Sequence, residues 1–323
     1  MTIESFAQQV NAWGAERTPF LFIVDFELKK PLAFRLDEVD PEQILYACNQ
    51  FGNGNDQLKS TTSITLHKHP IPVADYTSRF DKVYNHLQYG DSFLTNLTVR
   101  TPIELNCSLK DLFYLSEARY KLWFKGEFLV FSPETFVQIV NSKIFSFPMK
   151  GTIDAQIPNA TSIILLDKKE EAEHITIVDL IRNDLSQVAT QVSVSRFRYI
   201  EELKTNLKNL LQVSSEVCGQ LADDFHSQLG DILIALLPAG SVSGAPKPKT
   251  LEVIREAEGE DRGYYTGVFG YYDGEKLDSA VMIRYIEKSG DQLFYRSGGG
   301  ITTQSNAEQE YKEAIDKIYV PVN

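Results

Sequence analysis

Two pairs of glutamates are spaced so that they could hold a metal ion. Glu170 and Glu173, and again Glu310 and Glu313, are three positions apart, so on a helix both carboxylates of a pair share one face. Two such faces turned together would offer up to four hard oxygen donors, which suits Mg²⁺ and an anionic substrate. This spacing alone is more typical of two helix faces exposed to solvent. The prediction of a metal site therefore needs evidence beyond the spacing.

Lys150 is the second candidate for chemistry. It stands between a proline and a glycine in FPMKGT (147–152), at the end of an apolar run. This context places it at the end of a strand, where it is either a surface cation or an amine directed into a cleft. An uncharged amine in a cleft could act as a nucleophile.

Two glycine-containing segments could bind an anion. In PAGSVSGAPK (238–247), small residues before a predicted helix let the backbone approach a ligand. In RSGGGI (296–301), three glycines leave backbone amides unshielded. The first segment lacks the GxxxxGK[ST] spacing of a Walker loop. Each segment is equally compatible with an ordinary turn or a flexible bend.

Periodicity and turn residues predict the elements that must position these groups. Predicted helices cover residues 73–88, 167–190, 203–230, 249–258 and 307–318. Predicted strands cover residues 20–26, 92–99, 264–272, 279–286 and 292–295, with several more within 121–150. The turn at 272–274 joins neighbouring strands, so the sheets should be mostly antiparallel. Arg182, in DLIRND (179–184), is predicted to form a structural ion pair with Asp179 or Asp184.

Composition limits the classes of function. The chain has 323 residues, 43% of them hydrophobic, and a formal net charge of -12, which disfavours binding to nucleic-acid phosphates. No apolar run approaches the roughly 20 residues of a membrane span. Scattered cysteines that cannot all pair within one chain are typical of a reducing compartment: Cys48, Cys107 and Cys218. We expect a soluble, cytoplasmic protein that binds neither nucleic acid nor membrane.

The order of the motifs resembles that of the chorismate-utilising enzymes, which include anthranilate, isochorismate, salicylate and aminodeoxychorismate synthases. The matching segments are SPETF (132–136), PMKGT (148–152), KEEAEHITIVDLIRNDL (169–185), LLPAGSVSGAPKPKTLEVIREAE (236–258), RGYYTGVFGYYDG (262–274), Ile283-Arg284 and SGGGITTQSNAEQEYKEAIDK (297–317). The resemblance implies an α+β fold like that of anthranilate synthase component I, with two stacked, mostly antiparallel β-sheets flanked by helices. Residues 1–323 would form one chorismate-binding domain, with a shortened N-terminal part at 1–70 and the matching catalytic region at 90–320.

The resemblance also assigns roles to the site residues. Mg²⁺ would be held by the two glutamate pairs, with Glu173 and Glu313 as direct ligands, and would meet the ring carboxylate of chorismate beside Ser243 and Gly244. The enolpyruvyl carboxylate would be bound by Tyr265, Arg284 and the glycine amides. The full substrate-binding set implied is Thr152, Ser243, Gly244, Tyr265, Arg284, Gly298, Gly299, Gly300 and Lys317.

Lys150 distinguishes among the chorismate enzymes. Anthranilate and isochorismate synthases usually have P-[IL]-A-G-T here, whereas P-x-K-G-T resembles aminodeoxychorismate synthase component I. In that enzyme the lysine attacks C2 of chorismate as the C4 hydroxyl leaves, and ammonia then adds at C4. We expect a lowered pKa for Lys150, because the amine must be neutral to attack. Glu134, in SPETF, is expected to be the general acid for the leaving hydroxyl.

Three departures from the family pattern narrow the choice. Leu94 replaces the Gln of relatives, or the Lys of isochorismate and salicylate synthases, which argues against the last two activities. Gln212 replaces a common His, which lowers the case for anthranilate synthase and leaves one contact undefined. Residues 1–70 show no match to a tryptophan-binding pocket, so we expect no feedback inhibition by tryptophan.

The sequence therefore predicts an aminodeoxychorismate synthase component I with Mg²⁺ as cofactor. No glutaminase Cys-His pairing is evident, so ammonia would come from a separate glutamine amidotransferase subunit. The product would be 4-amino-4-deoxychorismate, on the route to 4-aminobenzoate and folate. The alternatives are anthranilate synthase component I and a non-catalytic chorismate-binding scaffold.

Overall fold

The computed structural model describes residues 1–54, 64–203 and 209–322. Within these residues the α-helices are α1 (Ile3–Ala15), α2 (Val73–Tyr89), α3 (Leu109–Leu115), α4 (Ala160–Leu166), α5 (Lys168–Leu185), α6 (Leu229–Leu236), α7 (Lys247–Glu258) and α8 (Ala307–Asp316). The strands are β1 (Phe20–Val24), β2 (Leu32–Arg35), β3 (Ile44–Cys48), β4 (Phe51–Gly52), β5 (Leu66–Lys68), β6 (Leu94–Leu105), β7 (Tyr120–Phe124), β8 (Phe128–Ser132), β9 (Thr135–Val140), β10 (Lys143–Ser146), β11 (Met149–Asp154), β12 (Thr190–Leu203), β13 (Leu210–Gln220), β14 (Gly244–Ala245), β15 (Val268–Tyr272), β16 (Leu277–Val281), β17 (Tyr285–Ser289) and β18 (Gln292–Ile301).

The strands form two antiparallel sheets. In the first sheet, β12 pairs with one edge of β13, and β10 and β11 both pair with its other edge. From β10 the strand order continues β9-β16-β15-β1-β2. In the second sheet the order is β14-β6-β18-β17-β8-β7-β3-β4, with β5 paired to the far end of β6. The predicted antiparallel arrangement and the hairpin between β15 and β16 are confirmed.

The two sheets stack face to face, as predicted. Their shared core contains Leu21 and Phe269 from the first sheet and Tyr120 and Val130 from the second. Helices α1, α5 and α6 pack on the outer face of the first sheet. Helices α2, α7 and α8 cover part of the second sheet's outer face, and α3 covers another part. This layering buries an apolar face of every large element.

Polar caps fix where the helices that carry the glutamate pairs begin. The Asp167 carboxylate accepts a hydrogen bond from the Glu170 backbone N–H at the start of α5. The Asn306 side chain accepts from two backbone amides at the start of α8. Each cap satisfies otherwise unpaired donors of the first helical turn. Both glutamate pairs therefore lie near helix N-termini, in or just beyond the first turn.

Two of the predicted elements were wrong. The predicted helix at 203–230 falls partly on residues 204–208, which lie outside the described residues, but its centre is the strand β13. The predicted strand 279–286 is interrupted after Val281, where the chain crosses from the first sheet to the second. Arg284 adopts a left-handed backbone conformation in this crossing, with φ of 53°, and no regular strand can continue through it.

Among residues 1–54, 64–203 and 209–322, none of the helices combines the length and apolar character needed to cross a lipid bilayer.

Candidate active site

Lys150 is directed towards the helices by an irregularity in β11. The pairing of β11 with β13 shifts register between Met149 and Thr152, so Lys150 and Gly151 lie in a bulge, a feature that re-aims side chains. Gly151 has φ of +84°, and a Cβ there would lie 3.1 Å from Glu170 Oε2. The strand therefore meets α5 at the position of the lysine.

The amino group of Lys150 is paired with a buried carboxylate. Its Nζ lies 2.8 Å from Glu173 Oε2, and the Lys150 side chain is 25% exposed. Burial acts to lower the pKa of Lys150, but the charges of Glu173, Glu170 and Glu313 prevail and raise it. The expected lowering of the lysine pKa was therefore wrong for this arrangement. The amine is a charged ammonium as long as Glu173 remains its partner.

The second glutamate pair lies across the glycine strand, the part of β18 that contains Gly298, Gly299 and Gly300. A Cβ on Gly299 would lie 3.5 Å from both Glu310 Oε2 and Glu313 Oε1, and 3.4 Å from Lys317 Nζ. Glu310 is buried and accepts a hydrogen bond from the Ser305 hydroxyl at 2.7 Å. Glu313 is more exposed and pairs with Lys317 at 2.6 Å. The two glutamate pairs thus face the same region from α5 and α8.

The donor chemistry of this region fits a hard cation. Among the residues that the structure describes, no three Asp, Glu, His or Cys side chains are arranged to hold a metal ion. The four carboxylates nevertheless have Lys150 as a common cationic neighbour. The charges of Glu170, Glu173 and Glu313 raise the pKa of Lys150. The Lys150 charge in turn opposes the rise that burial causes in the pKa of Glu310. Carboxylate oxygens gathered around one positive charge are the ligand type that Mg²⁺ prefers.

Glu134 follows β8 and is held by a hydroxyl from another segment. The Ser241 hydroxyl donates a hydrogen bond to Glu134 Oε1. Burial raises the pKa of Glu134, although Ser241 and the charges of Arg284, Lys317 and Lys150 oppose the rise. A cavity of about 20 Å³ beside Glu134 and Ser241 has room for one water molecule. A carboxyl group in this setting can hold a proton nearer to neutral pH.

Arg284 and Tyr265 lie where the chain passes between the sheets. Arg284 Nε donates to the Tyr319 hydroxyl at 3.3 Å, and its guanidinium lies 5.3 Å from the centre of that ring. Tyr265 is 4% exposed, and burial raises its pKa to about 12. Its hydroxyl therefore keeps its proton at neutral pH and can act as a hydrogen-bond donor.

The glycine strand has an open edge. β17 pairs with β18 only as far as Arg296, whereas β6 continues to pair with residues 297–301. In an antiparallel ladder alternate residues direct their N–H and C=O groups to opposite sides. Some of the 298–300 backbone groups therefore face an edge without a strand partner. Lys317 Nζ donates to the Gly298 carbonyl at 2.8 Å.

The remaining predicted binding residues differ in their accessibility. Ser243 is fully buried, and its hydroxyl donates to the Ala239 carbonyl at 2.9 Å. Gly244 has φ of +142°, and a Cβ there would lie 1.9 Å from the Leu94 carbonyl oxygen, so only glycine fits. Thr152 is exposed and lies opposite Gln212 on β13. The structure thus brings Lys150, the glutamates and the glycine strand together, and leaves Thr152 at the rim.

Two residues that contact predicted site residues, Ser241 and Tyr319, were not predicted from the sequence. Ser241 lies in the PAGSVSGAPK segment, but nothing in that pattern shows which hydroxyl meets Glu134. Tyr319 follows α8 and contacts Arg284, with no motif to mark it. The predicted ion pair of Arg182 is confirmed, and of its two candidate partners Asp179 forms it, at 3.1 Å. Asp184 instead pairs with Lys247, at 3.0 Å, and so connects α5 to the start of α7.

The stacked sheets and the cleft residues define a chorismate-binding class of enzyme fold. The chorismate binding enzyme family matches residues 41–323, and the chain belongs to this family, as the sequence motifs predicted.

Individual relatives refine this assignment. The chain is 46% identical to an uncharacterized PabA-like protein of Haemophilus influenzae, over 99% of this chain and 98% of that protein. It is 32% identical to aminodeoxychorismate synthase component 1 of Salmonella typhimurium, over 76% of this chain and 56% of that protein. The crystal structure of anthranilate synthase component I from Streptococcus pneumoniae superposes with a TM-score of 0.67 at 28% identity, over 82% of this chain and 60% of that chain. The predicted fold is thereby confirmed.

Proposed function

We propose that this chain converts chorismate and ammonia to 4-amino-4-deoxychorismate, as an aminodeoxychorismate synthase component I. The observation that carries the proposal is the position of Lys150. Its amine contacts Glu173, and it would lie 3.7 Å from a Cβ on Gly300, so it stands between α5 and the glycine strand. An amine here could form a bond to a bound ring, which the alanine of the anthranilate-type motif could not. The likeness to the Salmonella typhimurium protein supports the same activity.

The proposed steps use groups that already lie near one another. Lys150 must first give up a proton to water, because Glu173, at 2.8 Å, holds it as an ammonium. The amine then forms a bond to C2 while the C4 hydroxyl leaves, and Glu134 supplies the proton that makes the leaving group water. Ammonia next forms a bond to C4 while the bond between C2 and Lys150 breaks and returns the free amine. The ammonium formed at C4 then gives one proton to the Glu134 carboxylate, which restores the acid.

Binding of the two chorismate carboxylates would be divided between the two ends of the cleft. Arg284, Tyr265 and the open edge at 298–300 would hold the enolpyruvyl carboxylate, because they offer donors and positive charge. Mg²⁺ would be held by Glu170, Glu173, Glu310 and Glu313. When bound, the metal would neutralise these carboxylates, weaken their hold on the Lys150 ammonium and polarise the ring carboxylate.

Ammonia would be supplied by a separate glutamine amidotransferase. The matched Salmonella typhimurium relative is named as component 1 of its synthase, which is consistent with a second component. Among the described residues Cys48, Cys107 and Cys218 are free thiols, and Cys48 is buried. Burial raises the pKa of Cys48 well above its ordinary value, which makes it a poor nucleophile for glutamine hydrolysis.

Anthranilate synthase component I is the second candidate, because a solved structure of that name shares the fold at 28% identity. The product separates the two functions. We expect the purified chain, given chorismate, ammonium and Mg²⁺, to form 4-amino-4-deoxychorismate, identified by mass spectrometry. Fluorescent anthranilate as the product would refute the proposal.

Variants at Lys150 test the covalent step. Lys150→Arg keeps a charge beside Glu173 but cannot form the adduct and break it again, and Lys150→Ala removes the amine. We expect both to lose at least about 10³-fold in turnover with ammonium. Lys169→Ala is the matched control, because Lys169 also approaches Glu173, at 3.8 Å, from a more exposed position. Turnover within a few fold of the unaltered protein in Lys150→Ala would exclude a covalent role.

A further inference from the structure

Asn96 contains a buried hydrogen-bond acceptor that has no partner. It lies in β6, and its side-chain Oδ1 is enclosed but accepts no hydrogen bond from any residue in the described part of the chain. Its backbone is firmly held, because the N–H donates to the Ser243 carbonyl and the C=O accepts from Arg262, both at 2.8 Å. A buried acceptor that is left unmatched destabilises the folded protein. Such a cost at a rigid position is typical of a binding site.

The register of the second sheet places Asn96 in the candidate active site. Asn96 lies directly opposite Gly300, and residues paired in this way project from the same face of a sheet. A Cβ on Gly300 would lie 3.7 Å from Lys150 Nζ and 2.9 Å from Leu94 Cδ1. Asn96 therefore shares its face with Leu94 and with the glycine nearest the lysine.

The neighbouring side chains on this face of β6 cannot supply the same function. Leu94 is apolar and forms no hydrogen bond. The Thr98 hydroxyl already donates to Glu258 Oε1 at 2.9 Å. Among Leu94, Asn96 and Thr98, which alternate along this face within the described part of the chain, only Asn96 has a buried side-chain oxygen that makes no hydrogen bond.

We propose that Asn96 is a substrate-binding residue that contributes to specificity, and that its Oδ1 accepts a hydrogen bond from an O–H or N–H donor of the reactants. The donor is the hydroxyl of chorismate or the incoming ammonia. Sites built to satisfy a buried polar group discriminate strongly against ligands that leave it unpaired. This inference rests on the proposed function for the identity of the two reactants.

Asn96→Leu tests the inference, because leucine is similar in size and removes the acceptor. Titration calorimetry with chorismate in the absence of ammonium tests the hydrogen bond from the chorismate hydroxyl. The KM for ammonium tests the hydrogen bond from ammonia. A bond from the chorismate hydroxyl predicts a chorismate Kd raised at least about 10-fold. A bond from ammonia predicts an unchanged Kd and an ammonium KM raised by a similar factor. The melting temperature should stay the same or rise, since the unmatched acceptor is gone. Asn96→Ala, measured in the same way, guards against a clash of the leucine.

Asn53→Leu is the matched control. Asn53 Oδ1 accepts from the Tyr46 N–H and its Nδ2 donates to the Ile44 carbonyl, both at 2.9 Å, so this variant should melt at a lower temperature and bind chorismate normally. The inference is overturned if both Asn96 variants keep the original Kd and KM, or if they weaken binding only in step with a lower melting temperature. A different product from the unaltered protein would refute the proposed function, while the chorismate Kd would still test Asn96.

Discussion

The carboxyl group of Glu134 is subject to two opposing influences. Burial raises its pKa, whereas the Ser241 hydroxyl and the cations Arg284, Lys317 and Lys150 act to lower it. Burial prevails, so Glu134 retains its proton to a higher pH than an exposed glutamate. A general acid must be protonated when the substrate binds and must give up its proton in the transition state. The Ser241 hydrogen bond therefore adjusts both the orientation and the acidity of this group.

Ser241→Ala should change the pH dependence of the reaction. Loss of the hydroxyl removes an interaction that lowers the Glu134 pKa, so the pKa should rise further. Since the protonated acid is the active form in the proposed reaction, the alkaline limb of the profile of kcat against pH should move to higher pH. We also expect kcat to fall about 10-fold at its optimum, with a smaller change in KM, because the acid is less well oriented.

Two further variants show whether this effect belongs to the hydroxyl. Ser241→Thr keeps a hydroxyl and should restore most of the original profile. Ser227→Ala removes an exposed hydroxyl that donates to the Asp224 carbonyl, and it should leave the profile unchanged. If the alkaline limb does not move in Ser241→Ala, the Ser241 hydroxyl does not set the acidity of Glu134.

Several elements of the site could be predicted from local sequence. The apolar spacing of Tyr76, Phe80, Val83 and Leu87 predicted α2, and the same four residues form its buried face. The glutamate pairs fell on α5 and α8 as their spacing indicated, because polar caps at Asp167 and Asn306 start both helices nearby. Local periodicity and capping are properties of adjacent residues, which is why the sequence contains them.

Other features depend on contacts between distant segments. β13 was predicted to be helical, but pairing with β10, β11 and β12 makes it a strand. The crossing at Arg284 lies in an apolar run that gives no sign of a break. The charge state of Lys150 depends on Glu173, which is contributed by α5. These features are set by tertiary partners and could not be read from neighbouring residues.

A buried ion pair holds the elements around the glycine strand in place. Arg262 and Glu258 are 1% and 2% exposed in their side chains and lie 2.6 Å apart. Arg262 also donates to the Val242 and Asn96 carbonyls, each at 2.8 Å. The Thr98 N–H and hydroxyl donate to Glu258. This one pair therefore connects α7, the segment before β14 and the strand β6.

Arg262→Met should destabilise the fold strongly. It leaves the buried Glu258 carboxylate without its cation, a change that costs about 3–5 kcal/mol. Chemical denaturation followed by circular dichroism measures the loss. Arg262→Met combined with Glu258→Met should recover much of it, because the unpaired charge is gone. Arg182→Ala, which breaks the exposed pair with Asp179, is the control and should cost about 1 kcal/mol or less. A loss of that small size in Arg262→Met would exclude this role.

The charge of the whole molecule makes its local cations significant. The net charge of -12 repels a dianion such as chorismate at long range. Lys150, Arg284 and Lys317 nevertheless all act on the Glu134 carboxyl, so positive charge is concentrated at one place. A cleft with low-dielectric walls strengthens such a local field. We expect this distribution to favour a small anion over an extended polyanion.

The two sheets should unfold together, as expected of a single domain. They share a buried core, and residues 282–284 carry the chain directly from β16 in the first sheet to β17 in the second. The sequence contains two tryptophans, and each reports on a different layer: Trp13 packs against the helical side of the first sheet, and Trp123 lies in the core outside the second. The variants Trp13→Phe and Trp123→Phe each keep one tryptophan. We expect the fluorescence transition of each variant in urea to coincide with its own circular dichroism transition. The transitions of the two variants should also coincide with each other, once the stability of each variant is taken into account. Two separate transitions within either variant, or a fluorescence midpoint that departs from the circular dichroism midpoint of the same variant, would show that the sheets unfold as independent units.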